Sequence, residues 1–533
     1  MTSLILYITK TIDTDKFYLE IDKYRSGNVK IISLSPYSSY LLDQKNIEYK
    51  NMHDFIDKKY LREKSLELLN ILETNYSNLA VNNLFFKFLY RNYHTLFFVF
   101  RSKLLVNKLN EKFDDIVLFS NVPFKKDIAY DEEINNSFIY IDDLNLKEFI
   151  FFKTKSNNVK IKKLKITINN NLIYKLFNKL FKTNFNYDWV YFFSLHSKKS
   201  KFSLNNNLKK TEYIKLPNEF YIDEKKLNFL IEKQFLELSK KHDFKLNSIY
   251  LLSTMHMGQD YERDYCAYKN NIMHFNWQHG SYLYKGLFLK YYETNFHKIN
   301  FVFNKYTEEL YKKSDVKKVH NVGSVLFNKL LKKRKKEYDF VYITQGHDYT
   351  GNLQYVDFPN SLHNFDGYDL YQRHKDIIEL FGLKNKDKKI LIRVHPTVVT
   401  NGVYVPFWEL SEKYPNIIID VSIPIHTLIE KSKFIISDYF TSEFINRELH
   451  YKRDIILFQG APTPLPTETI DDMKKMFILV DTVDDLEDKV QNIEEITKDR
   501  KRYDDIIEYY SSKKCDTKKV VTEILQKEFN EGR

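Results

Sequence analysis

Glycine and proline are scarce, at 12 and 11 residues in a chain of 533. Collagen-like repeats and linker-dominated architectures need these residues in bulk and are excluded. Cysteine is scarcer still. Cys266 and Cys515 stand far apart and form no CxxC pair, so neither a disulfide framework nor a zinc site is expected, and a reducing compartment fits. Long hydrophobic runs are missing as well. The most apolar segment, 83–107, is broken by Lys87, Arg91, His94 and Arg101, short of the roughly 18 apolar residues that a membrane span requires. The opening MTSLILYITKTIDTDKF has no basic region ahead of its short apolar run, which argues against a secretory signal.

What is there suits a soluble globular protein: 43% hydrophobic and 29% charged residues. The length exceeds one ordinary core, so two or more domains are expected. Tyr and Phe are abundant, at 40 and 42. Alongside heavy Lys, Asn and Ile usage this reads as codon bias and carries no functional weight. The net charge of +12 points to anionic partners: nucleotides, acidic polymers or an anionic membrane face. The basic runs KKSK and KKRKK fall in apparent loops with no nucleic-acid-binding motif beside them, so nucleic acid is not an expected partner.

Along the chain, SLILYIT reads as a buried strand, and 28–56 as strand, turn, helix, short strand, helix. This βα alternation signals a parallel sheet covered by helices. Residues 60–115 look helical, 150–215 read as an insertion of strands and loops, and 223–244 read as a helix capped by Asp223. A strand at LNSIYLLS precedes the strand around Phe275, and 299–336 forms a strand–helix–strand unit ending in charge. From EYDFVYI onward the pattern restarts, with strands at KKILIRV, NIIID and KFIISD each followed by a helical stretch, and a further strand at RDIILF. The predicted organisation is an N-terminal Rossmann-like unit over 1–300 with the 150–215 insertion, a linker over 301–335, a second Rossmann-like unit over 336–485, and helices over 486–533. Two such halves suggest a cleft between them, a common place for ligands.

In open α/β sheets ligands bind beyond the carboxyl ends of strands, so the residues that follow each strand carry the functional signal. Gln278, His279, Gly280 and Ser281 follow the strand around Phe275. A neutral imidazole there can take a proton from a hydroxyl, and Gly280 allows close backbone approach. A loop histidine holding a structural hydrogen bond would look the same. RVHPT follows KILI, and there Arg393 and His395 can both contact a phosphate. SDYFTSE follows KFII, and Ser437, Thr441 and Ser442 place hydroxyls and orphan backbone donors at a helix start, a ready phosphate cradle. Glu443 and Glu448 can accept from sugar hydroxyls. A well-capped helix with no ligand is the plainer alternative. In TQGHDYTGN, Gly346 follows a strand directly, but the loop matches neither GxGxxG nor a Walker motif.

Taken in order, WQHGS, RVHP and SDYFTS resemble the elements of GT-B transferases that build bacterial surface polymers, notably the CDP-glycerol glycerophosphotransferase-like and surface-carbohydrate-biosynthesis proteins. HP followed by a Ser/Thr pair is also similar to CMP-sugar-using sialyl and Kdo transferases. The resemblance covers about residues 245–460 and is only topological before that. It implies an α/β, GT-B-like fold of two Rossmann-like domains facing each other across a cleft. His279 then corresponds to the base on the acceptor hydroxyl, with Gln278, Gly280 and Ser281 as the acceptor loop. His395 corresponds to the histidine on the donor phosphate. Ser437, Asp438, Thr441 and Ser442 correspond to the nucleotide-phosphate element, with Arg393, Glu443 and Gly346 nearby. Gln278 between Trp277 and His279, SYLYKG after the loop, and the absence of a proline before RDIILF depart from the glycerophosphate branch and weigh against glycerophosphate transfer.

The resemblance therefore implies a glycosyltransferase that takes a nucleotide-activated sugar, CMP- or CDP-linked, to a hydroxyl of a surface glycan or lipid-linked glycan. It would work in the cytoplasm, with peripheral contact at the inner membrane face. Glycerophosphate or polyol-phosphate transfer, nucleotide-sugar epimerisation, and a non-catalytic glycan- or nucleic-acid-binding role remain alternatives. No cofactor and no catalytic metal are expected. The DTD at 13–15 precedes any second strand, and the DD pairs at 114, 142, 471, 484 and 504 read as turns and helix caps.

Overall fold

The computed structural model describes residues 2–8, 12–57 (save 26), positions within 59–67 and 104–109, 111–120, 159–163, 250–253, 274–278, 299–324 (save 314–317), 334–344, 367–394, 405–438, 445, 448–449, 453–458, 467–499 and 503–531 (save 514). The expected α/β class is present: every strand pair described is parallel, and helices cover the sheets.

The first sheet has the order β2-β1-β3-β4, from β1 (Thr2–Tyr7), β2 (Val29–Ser33), β3 (Asp115–Ser120) and β4 (Val159–Lys163). Leu4, Ile5 and Leu6 are almost wholly buried, as a central strand covered on both faces requires. Helix α1 (Thr14–Arg25) turns Phe17 and Ile21 inward. Helix α2 (Pro36–Gln44) starts where Ser35 and Ser38 exchange side-chain and backbone hydrogen bonds and Pro36 fills the first turn. The stretch 150–215, predicted as an insertion, supplies edge strand β4, so at least that part belongs to the sheet.

A second sheet, in simple order β5-β6-β7-β8, contains β5 (Tyr250–Ser253), β6 (His274–Trp277), β7 (Ile299–Val302) and β8 (Val319–Asn321). Helix α3 (Lys305–Lys313) joins β7 to β8. The stretch named as linker, 301–335, thus carries two elements of this unit, because α3 buries Tyr306, Leu310 and Tyr311 and cannot remain a solvated connection.

The third sheet is the largest, with order β11-β10-β9-β12-β13-β14. Its elements are β9 (Tyr338–Ile343), α4 (Gly367–Glu379), β10 (Ile390–Arg393), α5 (Phe407–Ser411), β11 (Ile417–Asp420), α6 (Ile425–Lys431), β12 (Ser432–Ser437), β13 (Ile455–Phe458), α7 (Thr467–Met476), β14 (Ile478–Val480) and α8 (Val483–Gln491). Counted from β9 this is the 3-2-1-4-5-6 order of a Rossmann sheet. One core joins Phe340 and Tyr342, Ile390 and Ile392, Ile436, Ile456 and Phe458 to Ile377, Ile378 and Phe381 on and just beyond α4 and to Leu486 and Val490 on α8. The alternate residues Val341, Leu391, Ile435, Ile455 and Leu457 are also buried, as strands covered on both faces require.

The chain end returns to the second sheet. After α9 (Ile493–Asp499) and α10 (Asp504–Tyr510), helix α11 (Thr517–Glu531) packs Val521 and Leu525 on Phe275, Ile299 and Phe301. Asn304 Nδ2 donates to the Tyr510 carbonyl at 2.8 Å, and the Ser324 amide donates to Ser512 Oγ at 2.9 Å. Gly323 holds φ +66° where the Lys513 carbonyl crosses it, a conformation and an approach that suit glycine. Among the described residues no helix is long and apolar enough to cross a membrane.

Candidate functional site

The third sheet has one topological switch point, between β9 and β12. There the chain leaves neighbouring strands in opposite directions and opens a crevice at their carboxyl ends. Backbone hydrogen bonds finish these ends level: the Asp438 amide donates to the Ile343 carbonyl at 3.4 Å, the Thr344 amide to Arg393 at 3.1 Å, and the Val394 amide to Asp420 at 2.9 Å.

Asp438 stands at this point, buried, at the end of β12. Tyr342, one face of β9, donates its phenol to Oδ2 at 2.9 Å. His374 of α4 places Nε2 3.7 Å from the same oxygen. That is too long for a direct hydrogen bond, and the contact is electrostatic. The imidazole is 1% exposed and lies 4.7 Å, centroid to centroid, from the Phe407 ring. Burial pushes its pKa below the ordinary 6.5, against the opposing pull of Asp438, so the ring is neutral at neutral pH. The result is a desolvated tyrosine–carboxylate–histidine cluster under the switch point. The group it fixes most firmly is Asp438, the residue that follows β12.

The predicted residues distribute as follows. Arg393 ends β10 and Ser437 ends β12, on either side of β9, so both sit on the carboxyl edge of one sheet. Arg393 Nη1 donates to the carbonyls of Val394 at 2.9 Å and Asp420 at 3.5 Å, and burial lowers its pKa. That nitrogen ties strand ends together. Asp438, expected among the phosphate-holding residues, is engaged by Tyr342 and faces His374. Glu448 is fully buried, and its charge bears on Lys336, which precedes β9. Its carbonyl takes the Arg453 amide, while the Arg453 side chain reaches Ser432 at the start of β12. Glu448 therefore belongs to the amino edge, the wrong end of the sheet for a sugar contact. Gln278 directly follows β6 and is 1% exposed. Its Oε1 accepts from the Phe303 amide at 2.7 Å and its Nε2 donates to Thr307 Oγ1 at 3.3 Å, so this amide anchors the strand end to the start of α3. His279, Gly280, Ser281, Gly346, His395, Thr441, Ser442 and Glu443 lie outside the described residues.

Tyr342 and His374 went unnoticed in the sequence. A signal existed for His374: Tyr371, His374, Ile378 and Phe381 recur at three- and four-residue spacing, which places the histidine in the apolar stripe of an amphipathic helix. The acidic pairs divide. Asp484 and Asp485 stand in the first turn of α8, where Asp485 completes a capping box with the N-cap Thr482, while Asp504 and Asp505 stand in the first turn of α10, whose N-cap position is Tyr503 and makes no side-chain cap bond. Asp471 and Asp472 lie inside α7, where Asp472 accepts from Tyr510 at 3.0 Å. Asp115 begins β3. Among the described residues no group of three or more His, Cys, Asp or Glu could hold a metal ion.

No family model matches the chain, and no curated protein matches it. Among solved structures, a UDP-GlcNAc 2-epimerase of Methanocaldococcus jannaschii is similar at 14% identity and TM-score 0.36, over 58% of this chain and 81% of that one. A UDP-GlcNAc 2-epimerase of Neisseria meningitidis is similar at 10% identity and TM-score 0.32, over 99% of this chain and 100% of that one. A UDP-glucose:anthocyanidin 3-O-glucosyltransferase is similar at 10% identity and TM-score 0.29, over 82% and 93%. Likenesses this distant carry no argument about the site, and the reading below rests on this chain's own residues.

Proposed function

We propose that the protein is a metal-independent glycosyltransferase, moving a sugar from a CMP- or CDP-linked donor to a hydroxyl of a surface glycan or lipid-linked glycan. In this reading the donor lies over the carboxyl edge of the third sheet. Its phosphates meet His395 and the segment 437–442, which the sequence reads as a helix start, and the acceptor approaches from the second sheet, past His279. The acceptor oxygen forms a bond to the anomeric carbon, the bond from that carbon to the phosphate oxygen breaks, His279 takes the hydroxyl proton, and the nucleotide leaves with the electron pair. The net charge of +12 suits an acidic glycan or the inner membrane face.

One observation carries this reading. The two motifs chosen from the sequence, RVHP and SDYFTS, leave the strands on either side of β9 at the same sheet edge, where the strand order reverses. That is the position where open α/β sheets hold nucleotides. The test is thermal stabilisation of the full chain, without metal, by CMP, CDP, UDP, GDP, ADP and TDP. At 100 times its dissociation constant a ligand of the folded state adds about 2.7 kcal/mol. The expected result is a shift with CMP or CDP that His395→Ala abolishes. A shift with UDP or GDP alone would replace the donor class, and no shift with any nucleotide would remove the reading.

A further inference from the structure

The first sheet's unit and the third sheet's unit meet where α2 lies against α4, and one carboxylate joins them. Asp43, in the last turn of α2, accepts from Tyr371 Oη at 2.7 Å and Lys375 Nζ at 3.1 Å, both on α4. Tyr49 Oη, from its own unit, donates to the other carboxylate oxygen at 3.2 Å. The Tyr49 ring also meets Tyr368 of α4 edge-on, with centroids 6.1 Å apart. Burial, and then the Asp43 charge, raise the pKa of Tyr371 and Tyr49 far above the ordinary 10.0, so both phenols keep the protons they donate. Lys375 is raised despite its burial, because Asp43 stands beside it. Three donors from two units therefore converge on one half-buried carboxylate, contacts of the charge-assisted kind.

Helix α4 is shared between two tasks. Tyr368, Tyr371 and Lys375 form the stripe that faces the first unit, by three- and four-residue spacing. The adjoining stripe, with His374, Ile377 and Ile378, faces its own sheet. His374 stands between Tyr371 and Lys375 in the chain, and one helical turn moves as a rigid piece. Any slide or rotation of α4 that follows a change at Asp43 is therefore transmitted to the imidazole and to its 3.7 Å approach to Asp438.

We infer that Asp43 is a positioning residue for the switch-point site, acting from the other unit through α4 on His374 and so on Asp438. The affinity arm of the test rests on the donor reading above; the spectroscopic arm does not. In full-length protein labelled with 15N-histidine, the His374 ring signal is identified by its loss in His374→Gln. In Asp43→Ala that signal is expected to move, and in Asp43→Glu, which keeps a carboxylate to accept from the three donors, it is expected to return toward the wild-type position. For whichever nucleotide stabilises the wild type, Asp43→Ala should weaken binding about tenfold, with an unchanged far-UV spectrum, and Asp43→Glu should recover most of it. If Asp43→Ala does not fold, Asp43→Asn removes the charge while keeping the shape, and the same readouts apply. An unmoved His374 signal in a folded variant overturns the inference whatever the nucleotide result. A moved signal with unchanged nucleotide affinity overturns it too. If the wild type binds no nucleotide, the donor reading fails and the ring signal alone decides.

Discussion

His374 is fully enclosed between an aromatic ring and a carboxylate, and its burial has a measurable cost in acid. Its folded-state pKa lies below the ordinary 6.5, so on acidification the unfolded chain takes up the proton first. Stability is then lost as pH falls from about 6.5 toward the folded-state value, with a limiting slope of about 1.4 kcal/mol per pH unit for one proton. His320, also lowered by burial, acts in the same direction, so the comparison must be with His374→Gln, which leaves His320 in place. Urea unfolding at steps between pH 7.5 and 5 should show wild type losing more stability than the variant; parallel profiles would mean that His374 does not titrate as the structure requires. At this scale the sequence was informative where a residue's position depends only on its own strand. Arg393 and Ser437 end apolar runs and are found at strand ends. It was uninformative where two residues must meet through tertiary packing. Nothing local to Tyr342 or His374 announces Asp438, which is 96 residues from the one and 64 from the other.

Helix α4 does not end in a regular turn but runs into a π-helical stretch, Leu380–Lys384, where Gly382 faces the ring of Tyr414. A Cβ at Gly382 would press into that ring, which is buried. Gly382→Ala is therefore expected to destabilise by about 1–3 kcal/mol, the usual range for overpacking, measured by denaturant midpoint at constant slope. A neutral or stabilising effect would mean the ring moves aside freely. The strands at 338–343, 390–393, 417–420, 432–437 and 455–458 were legible because parallel strands covered on both faces are near-continuous apolar runs. Those that escaped have physical reasons. DIVLFS starts inside the Asp114–Asp115 pair, which reads as a cap, and ILV at 478–480 is only three residues long. Helix α1 was missed because only Phe17 and Ile21 of its 12 residues are buried.

At the scale of the molecule, the long-range contacts among the described residues include the α2–α4 contact around Asp43 and the return of the chain end to the second sheet. The helical character of 486–533 was legible, but its destination was not, since contacts such as Asn304 with Tyr510 span 206 residues. Leu525 is 4% exposed in the cluster with Phe275, Ile299 and Phe301. Leu525→Ala should cost about 2–5 kcal/mol, seen as an earlier thermal transition, and an unchanged transition would mean α11 only rests on the sheet.

The same return has a consequence for biosynthesis. The last strand of the second sheet is finished at Asn321, but Val521 and Leu525, which cover Phe275, Ile299 and Phe301, come late in the chain. They emerge about 200 residues later, which at about 5–20 residues per second leaves that apolar face bare for roughly 10–40 s on every ribosome. The second sheet is thus a stretch of nascent chain whose apolar face waits late in synthesis for its cover.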